Sequence, residues 1–141
     1  MNSISNEIIL SLGVKPEWLT DSPTFINAAR EGIPGGVVKR IVKAFDNRDL
    51  VVRVLDVSSA NLSRIYRVKH MTRLNSEEVL DLLRVYRQAI EVFGDKEVAV
   101  DWTKTPIPSL SGERPEDLFD TFEGRKWVSE VLKKIEYGEF S

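Results

Sequence analysis

The sequence predicts an all-α protein, because three kinds of signal agree. Apolar residues recur at helical spacing along most of the 141-residue chain. Residues that cap helices stand before these segments, and glycine or proline follows them. No stretch alternates apolar and polar residues as a half-buried strand would. A chain of this length is long enough for one domain-sized core, which two joined parts can share.

Composition favours a folded protein without the usual catalytic groups. Hydrophobic residues make up 42% of the chain and charged residues 30%, as in ordinary folded proteins. The absence of cysteine excludes disulfides, thiolate metal sites and cysteine nucleophiles. His70 is the only histidine and has Arg67, Lys69 and Arg73 as neighbours, so we interpret it as a solvated member of a basic patch. We therefore expect no catalytic residue, no metal site and no cofactor.

The amino terminus and the hydropathy indicate where the protein resides. No apolar run reaches the ~18 residues that span a bilayer. No basic region followed by a hydrophobic block opens the chain, as it would in a signal peptide. We expect a cytoplasmic protein.

The formal net charge of −2 hides an uneven distribution along the chain. Residues 30–73 carry ten Lys or Arg against four acidic residues, a net charge of +6. Residues 74–141 carry nine against fifteen, a net charge of −6. This split predicts two different partners, one of which is polyanionic.

Several short helices are predicted in the amino-terminal half. An apolar run over residues 6–12 is followed by a helix that Ser22 is expected to cap, with Pro23 at its first position, and then by a breaker at residues 33–36. Residues 37–45 then carry an apolar stripe with basic residues on the opposite side.

Two further short helices joined by a tight turn have the layout of a helix-turn-helix. Asp49 is expected to cap the first and Ser58 or Ser59 the second. Asp56 stands in the turn and tolerates a left-handed backbone. The alternative is an ordinary helical corner with a solvated basic face. The candidate DNA contacts are Ser59, Asn61, Ser63, Arg64, Arg67 and Lys69, with Lys39, Lys43 and Arg73 as further phosphate contacts.

The clearest local pattern is a long helix over residues 76–93. Asn75 is expected to cap it, and Glu78 to complete a capping box. Gly94 is placed to end it in the left-handed conformation. Its expected buried face consists of Val79, Leu82, Leu83, Tyr86, Ala89, Ile90 and Phe93.

The last third of the chain is punctuated by turn residues. Asp95 is expected to cap a short helix that ends before Thr105-Pro106, and Pro115 to begin another helix. The last helix is expected to end at Gly138. We interpret the acidic residues between 113 and 120 as helix-capping and solvated groups rather than a catalytic pair.

Aromatic residues in this last third have different expected roles. Trp102 and Trp127 stand at helical spacing among aliphatic residues, and we expect both in the core. Phe140 follows the terminal glycine, where no core obviously receives it. It is either folded back on the last helix or an anchor in a partner's pocket.

Taken together, these motifs resemble the Xre/MbcA/ParS antitoxins, the partners of RES-domain toxins, over roughly residues 33–141. The most specific matches are Arg73-Leu74-Asn75-Ser76-Glu77-Glu78, Ala89 to Asp95, Ala99 to Trp102, Thr105-Pro106, Leu110, Gly112-Glu113-Arg114-Pro115, Leu118, Thr121, Gly124 and Ile135 to Gly138. One departure lies in the second helix of the helix-turn-helix, where family members usually show Arg-Thr-Leu and this chain has Ala60-Asn61-Leu62.

The resemblance implies an antitoxin of a type II toxin-antitoxin system. Such a protein binds and occludes the active site of a RES-type, NAD-consuming toxin, and represses its own operon through the helix-turn-helix. The resemblance also implies a toxin-facing surface at a turn, Gly124-Arg125-Lys126, and along the tail that follows the last helix. The residues carried over to toxin binding are Arg125, Lys126, Tyr137, Glu139, Phe140 and Ser141.

We thus predict three parts within one helical chain. Residues 1–32 form an amino-terminal helical extension, residues 33–74 the helix-turn-helix DNA-binding part, and residues 75–141 the connector helix with the toxin-binding domain. We expect a homodimer within a larger complex of antitoxin, toxin and operator DNA. The alternative is a stand-alone helix-turn-helix transcriptional regulator whose carboxy-terminal half serves dimerisation.

Overall fold

Helices account for all the regular secondary structure in the part of the chain that the structure describes. The computed structural model describes residues 3–138. No strand occurs within that range, so the predicted all-α fold is confirmed. The α-helices are α1 (Ser3–Ser11), α2 (Glu17–Thr20), α3 (Ser22–Glu31), α4 (Gly36–Phe45), α5 (Arg48–Leu55), α6 (Ser59–Ile65), α7 (Arg73–Phe93), α8 (Lys96–Thr103) and α9 (Phe122–Glu136), and 3₁₀ turns span Pro108–Leu110 and Pro115–Leu118.

Helix α7 lies at the centre of the fold. It contacts α1, α2, α3 and α5 from the amino-terminal half of the chain, and α8 and α9 from the carboxy-terminal half. The predicted face is buried except at Phe93, which is only half-buried, and Leu80 and Val85 are buried as well. Helix α7 is therefore surrounded more completely than a one-sided amphipathic helix. Gly94 ends it with φ +71°, as predicted.

A cluster of three aromatic rings joins α4, α7 and the segment that precedes α9. The rings of Phe45 on α4 and Tyr86 on α7 stack with centroids 3.9 Å apart. Phe119, which precedes α9, meets the other edge of Tyr86 at 5.4 Å in a T-shaped contact. Burial raises the pKa of the Tyr86 phenol far above its ordinary value, so this tyrosine stays neutral in the core.

The amino-terminal helices share this core instead of standing apart from it. One cluster of buried residues runs from Ile9 on α1 to Leu132 on α9. Arg84 of α7 holds α2 and α3 in place: its guanidinium lies 3.9 Å over the ring of Phe25 on α3, and its Nε donates to the carbonyl of Leu19 on α2 at 3.3 Å. The division into parts at residues 32 and 74 stays a prediction.

Two predicted amino-terminal caps are correct and three lie elsewhere. Helix α3 is capped by Asp21 rather than Ser22, since the Asp21 carboxylate accepts the amide of Thr24 at 3.2 Å. Ser58 caps α6 and Asp95 caps α8, each through its side-chain oxygen. Helix α5 is capped by Asn47 rather than Asp49, since the Asn47 Oδ1 accepts the amide of Leu50 at 2.9 Å. Asp49 instead lies in the first turn, where a carboxylate suits the positive end of the helix.

Helix α7 likewise begins earlier than predicted. Thr72 takes an extended backbone, and its hydroxyl accepts the amide of Asn75 at 3.1 Å, so Thr72 is the cap. Asn75 therefore lies inside the helix. The predicted capping box is therefore absent, and Glu78 instead pairs with Arg125 of α9.

The carboxy-terminal segment also differs from the prediction in two respects. Pro115 begins only a 3₁₀ turn, and α9 starts at Phe122, where Thr121 caps it by accepting the amide of Gly124 at 2.9 Å. Trp127 is not a core residue: it is 36% exposed because α9 turns the opposite side to α7. Within residues 3–138, no helix is long and apolar enough to cross a membrane.

Candidate functional site

Arg125, a predicted toxin contact, is buried between α7 and α9. Its side chain is 2% exposed. The Nε donates to Asp81 at 2.6 Å, one terminal nitrogen donates to the carbonyl of Phe119 at 2.8 Å, and the other donates to Glu78 at 3.1 Å. All three nitrogens of the guanidinium thus donate hydrogen bonds within the protein itself.

The prediction of an exposed turn at Gly124-Arg125-Lys126 is therefore wrong. These residues lie in the first turns of α9, because Thr121 caps the helix and the turn that follows brings Arg125 to face α7. Arg125 is a clamp between two helices and offers no charge to a partner. Lys126, the next residue, lies on the exposed side of the helix.

Helix α9 presents a line of solvent-facing side chains, which we call the α9 stripe. Its members recur every three or four residues and hence share one side of the helix. The aromatic rings of Phe122 and Tyr137 at its two ends are 65% and 74% exposed. Neither lysine of the stripe forms an ion pair with another described residue. The α9 stripe consists of Phe122, Lys126, Ser129, Lys133 and Tyr137, of which Ser129 is half-buried and the others are exposed.

A groove of about 460 Å³ runs beside the α9 stripe, between α7 and α9. Two hydrogen bonds close its floor: Gln88 donates to the carbonyl of Ser129 at 3.0 Å, and the Ser129 hydroxyl donates back to Gln88 at 2.7 Å. The Asp81–Arg125 pair forms one wall. Helix α9, which carries the stripe, is therefore fixed to α7 at two points along the groove.

The predicted tail residues lie at or beyond the end of α9. Tyr137 is the residue after the helix, and its backbone amide donates to the carbonyl of Lys133 at 3.1 Å, so its ring is carried on an ordered backbone. Glu139, Phe140 and Ser141 lie outside the described residues, and both interpretations of Phe140 stay open.

The predicted DNA contacts lie on α6 and in the segment between α6 and α7. Asn61, Ser63 and Arg64 are exposed on the helix, and Arg67 and Lys69 are exposed in the turn that follows. The predicted tight turn is present, with Asp56 left-handed at φ +51°. Ser59 differs from the other candidates, because its hydroxyl and carbonyl accept hydrogen bonds from Arg48 at 2.6 and 2.7 Å.

The basic residues around α6 are free to meet an anionic partner. Lys39, Lys43, Arg64, Arg67 and Lys69 are all exposed, and none has an ion-pair partner among residues 3–138. Arg73 is the exception among the predicted phosphate contacts, as it pairs with Glu77 at 3.0 Å. This unpaired positive charge is what contact with a polyanion requires.

Comparison with known proteins matches the carboxy-terminal part of the chain to a defined domain. Residues 88–138, from the end of α7 to the end of the described chain, match the family model described as the antitoxin Xre/MbcA/ParS C-terminal toxin-binding domain. A protein named antitoxin Xre from Photorhabdus laumondii is 31% identical over 133 residues, which cover 87% of this chain and 89% of the relative. This chain belongs to the Xre/MbcA/ParS antitoxin family.

Two further relatives carry antitoxin names. An antitoxin Xre from Yersinia enterocolitica is 33% identical over 95 residues, which cover 64% of this chain and 63% of the relative. A protein named Prs ADP-ribosylating antitoxin from a Sphingobium strain is 26% identical over 127 residues, covering 82% and 80% of the two chains. The resemblance inferred from the motifs is thereby confirmed at the level of the family.

Two exposed residues of this antitoxin-family chain were not predicted from the sequence. Phe122 was missed because the interpretation of the last helix rested on its apolar residues from Trp127 onward and assigned no side of the helix to Phe122. Lys133 was hidden among the ordinary charges of a helical surface. The signal that identifies both is the spacing: positions 122, 126, 129, 133 and 137 are three or four residues apart and fall on one side of α9, which begins at Phe122 after the Thr121 cap.

Proposed function

We propose that this protein is an antitoxin that binds and occludes the active site of a RES-type, NAD-consuming toxin through the α9 stripe and the tail that follows it. We further propose that it represses its own operon, as a homodimer, through α5 and α6. The observation that carries the first proposal is the α9 stripe. It lies within the residues that match the toxin-binding domain model, and an exposed aromatic ring stands at each of its two ends.

The chemistry of the α9 stripe supports a protein partner. Phe122 and Tyr137 hold large rings in water, and such rings become anchors when a partner's pocket covers them. Lys126 and Lys133 between them form no ion pair with another residue of the described range, so they favour a toxin surface with acidic residues near the pocket. Because Arg125 clamps α9 from behind, the stripe is held in place before the toxin arrives.

The test is co-expression with the adjacent gene, scored by growth, cellular NAD and co-purification. Tyr137→Ala and Phe140→Ala are each expected to weaken toxin binding about tenfold or more, because each removes an anchor. Tyr137→Ala should leave the free energy of unfolding within about 0.5 kcal/mol, since its ring is exposed.

Leu74→Ala is the matched control, because Leu74 is 63% exposed but lies outside residues 88–138. It should bind toxin like the wild type. Equal loss in Tyr137→Ala and Leu74→Ala would reject the α9 stripe as the toxin-binding surface. No protection by the wild-type chain would favour the alternative, a regulator whose carboxy-terminal half dimerises.

The exposed, unpaired cations around α6 support DNA binding. Arg67→Ala is expected to lower affinity for the upstream DNA and to reduce the slope of log K against log salt by about 0.9 for each phosphate that Arg67 neutralises. Lys134→Ala on α9 removes the same charge from another surface and should leave the slope unchanged. A slope that both substitutions reduce equally indicates attraction by net charge alone, without a docked surface.

A further inference from the structure

Glu116 is a buried carboxylate that neither the α9 stripe nor the exposed basic residues account for. It is 5% exposed. It accepts a hydrogen bond from the Asn47 side-chain amide at 2.8 Å and from the Lys104 ammonium at 3.2 Å, and Arg114 lies 3.6 Å away. A charge held this far from water needs all these partners, so their positions are strongly constrained.

Asn47 has two tasks that fix the orientation of its amide. Its oxygen accepts the Leu50 amide and caps α5, while its nitrogen donates to Glu116. Turning the amide over would place oxygen against carboxylate and nitrogen against an N–H group. The 3₁₀ turn that carries Glu116 therefore determines how α5 begins. Arg53 adds a second link from α5 to the same segment, donating to the Glu116 carbonyl at 3.4 Å and pairing with Asp120 at 3.6 Å.

The connection continues from α5 to α6 through Arg48. Arg48 follows Asn47 directly, and its guanidinium donates to the hydroxyl and to the carbonyl of Ser59, the first residue of α6. Helix α6 has seven residues and buries only Leu62 fully. A helix with so little core of its own depends on hydrogen bonds from its neighbours for its position.

We propose that Glu116 is a positioning residue for DNA contact, holding α6 in place through Asn47, Arg48 and Ser59. The carboxy-terminal part, which carries the α9 stripe on another face, thus also sets the geometry of the DNA-facing helix. This inference rests on the DNA-binding half of the proposed function. It assigns to the toxin-binding domain a residue that acts on the other ligand.

The connection from Glu116 to Ser59 is tested in the full-length chain by exchanging the donor and the acceptor of its first hydrogen bond, between Asn47 and Glu116. Asn47→Asp keeps a capping oxygen for α5 but sets a second carboxylate against Glu116, so the bond becomes a repulsion. Adding Glu116→Gln restores a donor and an acceptor with their roles reversed, because the glutamine amide donates to the new aspartate. The double variant also has the net charge of the wild type.

Amide hydrogen exchange, upstream DNA binding and toxin neutralisation are measured for each variant. For Asn47→Asp we expect exchange at the Leu50 and Leu62 amides to rise about tenfold, DNA affinity to fall about tenfold, and exchange within α9 and toxin neutralisation to stay unchanged. The double variant should return exchange and DNA affinity to within about twofold of the wild type.

Three outcomes overturn the inference: wild-type exchange in Asn47→Asp, no rescue in the double variant, or equal loss of toxin neutralisation. If the wild-type chain does not bind upstream DNA, the DNA-binding half of the proposed function fails on its own. The exchange pattern then still decides whether Glu116 positions α6, since that readout needs no DNA.

Discussion

Arg125→Met is expected to lower the free energy of unfolding by about 3 kcal/mol. Methionine preserves much of the apolar length of the side chain, so the loss reports the guanidinium itself. Without it, Glu78 and Asp81, which lie three residues apart on α7, lose the cation that α9 places between them, and the Phe119 carbonyl loses its donor. We place the value at the lower end of the range for broken buried pairs because Glu78 is 38% exposed.

Lys126→Met is the control for Arg125→Met, since it removes a neighbouring cation that lies on the surface and has no ion pair within residues 3–138. Its effect should stay within about 0.5 kcal/mol. Urea denaturation of both variants gives the comparison. For toxin binding we expect the opposite order, in which Lys126→Met weakens binding more than Arg125→Met does. Equal midpoints for the two variants would show that the clamp contributes nothing to stability.

Gly35→Ala is expected to lower the free energy of unfolding by about 3 kcal/mol or more. A β-carbon at position 35 would lie 1.6 Å from the carbonyl oxygen of Ile65, at the end of α6. The backbone amide of Gly35 also donates to the carbonyl of Val68 at 2.9 Å, so the two segments cannot separate without losing that bond. The backbone angles of Gly35, φ −61° and ψ −22°, suit any residue, so the effect is purely steric.

Gly36→Ala is the matched control one residue later. The nearest atom to a β-carbon at position 36 is the Arg40 guanidinium nitrogen at 3.7 Å, an ordinary contact. Since Gly36 begins α4, alanine there should change stability by between zero and about +1 kcal/mol. Thermal melts of both variants decide the matter, and a Gly35→Ala protein as stable as Gly36→Ala would contradict the close approach of α6 to this turn.

Local signals in the sequence predicted most of the helices correctly. Ser58, Asp95 and Gly94 mark helix ends by chemistry that acts within three or four residues, and the structure confirms all three. Where two capping residues stand close together, as Asn47 and Asp49 do, the sequence did not decide between them. In the structure Asn47 is the cap, and its side-chain amide also donates a hydrogen bond to Glu116.

The candidate site was less predictable than the fold. Lys126 and Tyr137 lie exposed on α9, as a contact surface requires, and their role in toxin binding stays a prediction. Arg125 was assigned to the same surface because an arginine next to a lysine looks equally exposed in a sequence. Its burial depends on Asp81 and Glu78, which lie more than forty positions earlier in the chain.

The sequence by itself determined the helical class, the order and approximate ends of the helices, and the family. These properties depend on hydrophobic period, capping chemistry and motifs that lie within a few residues of one another. Only the tertiary structure decided which of two neighbouring residues faces inward: Arg125 rather than Lys126, and Gly35 rather than Gly36. The physical reason is that burial and close approach depend on partners distant in sequence, which meet only when the helices pack around α7.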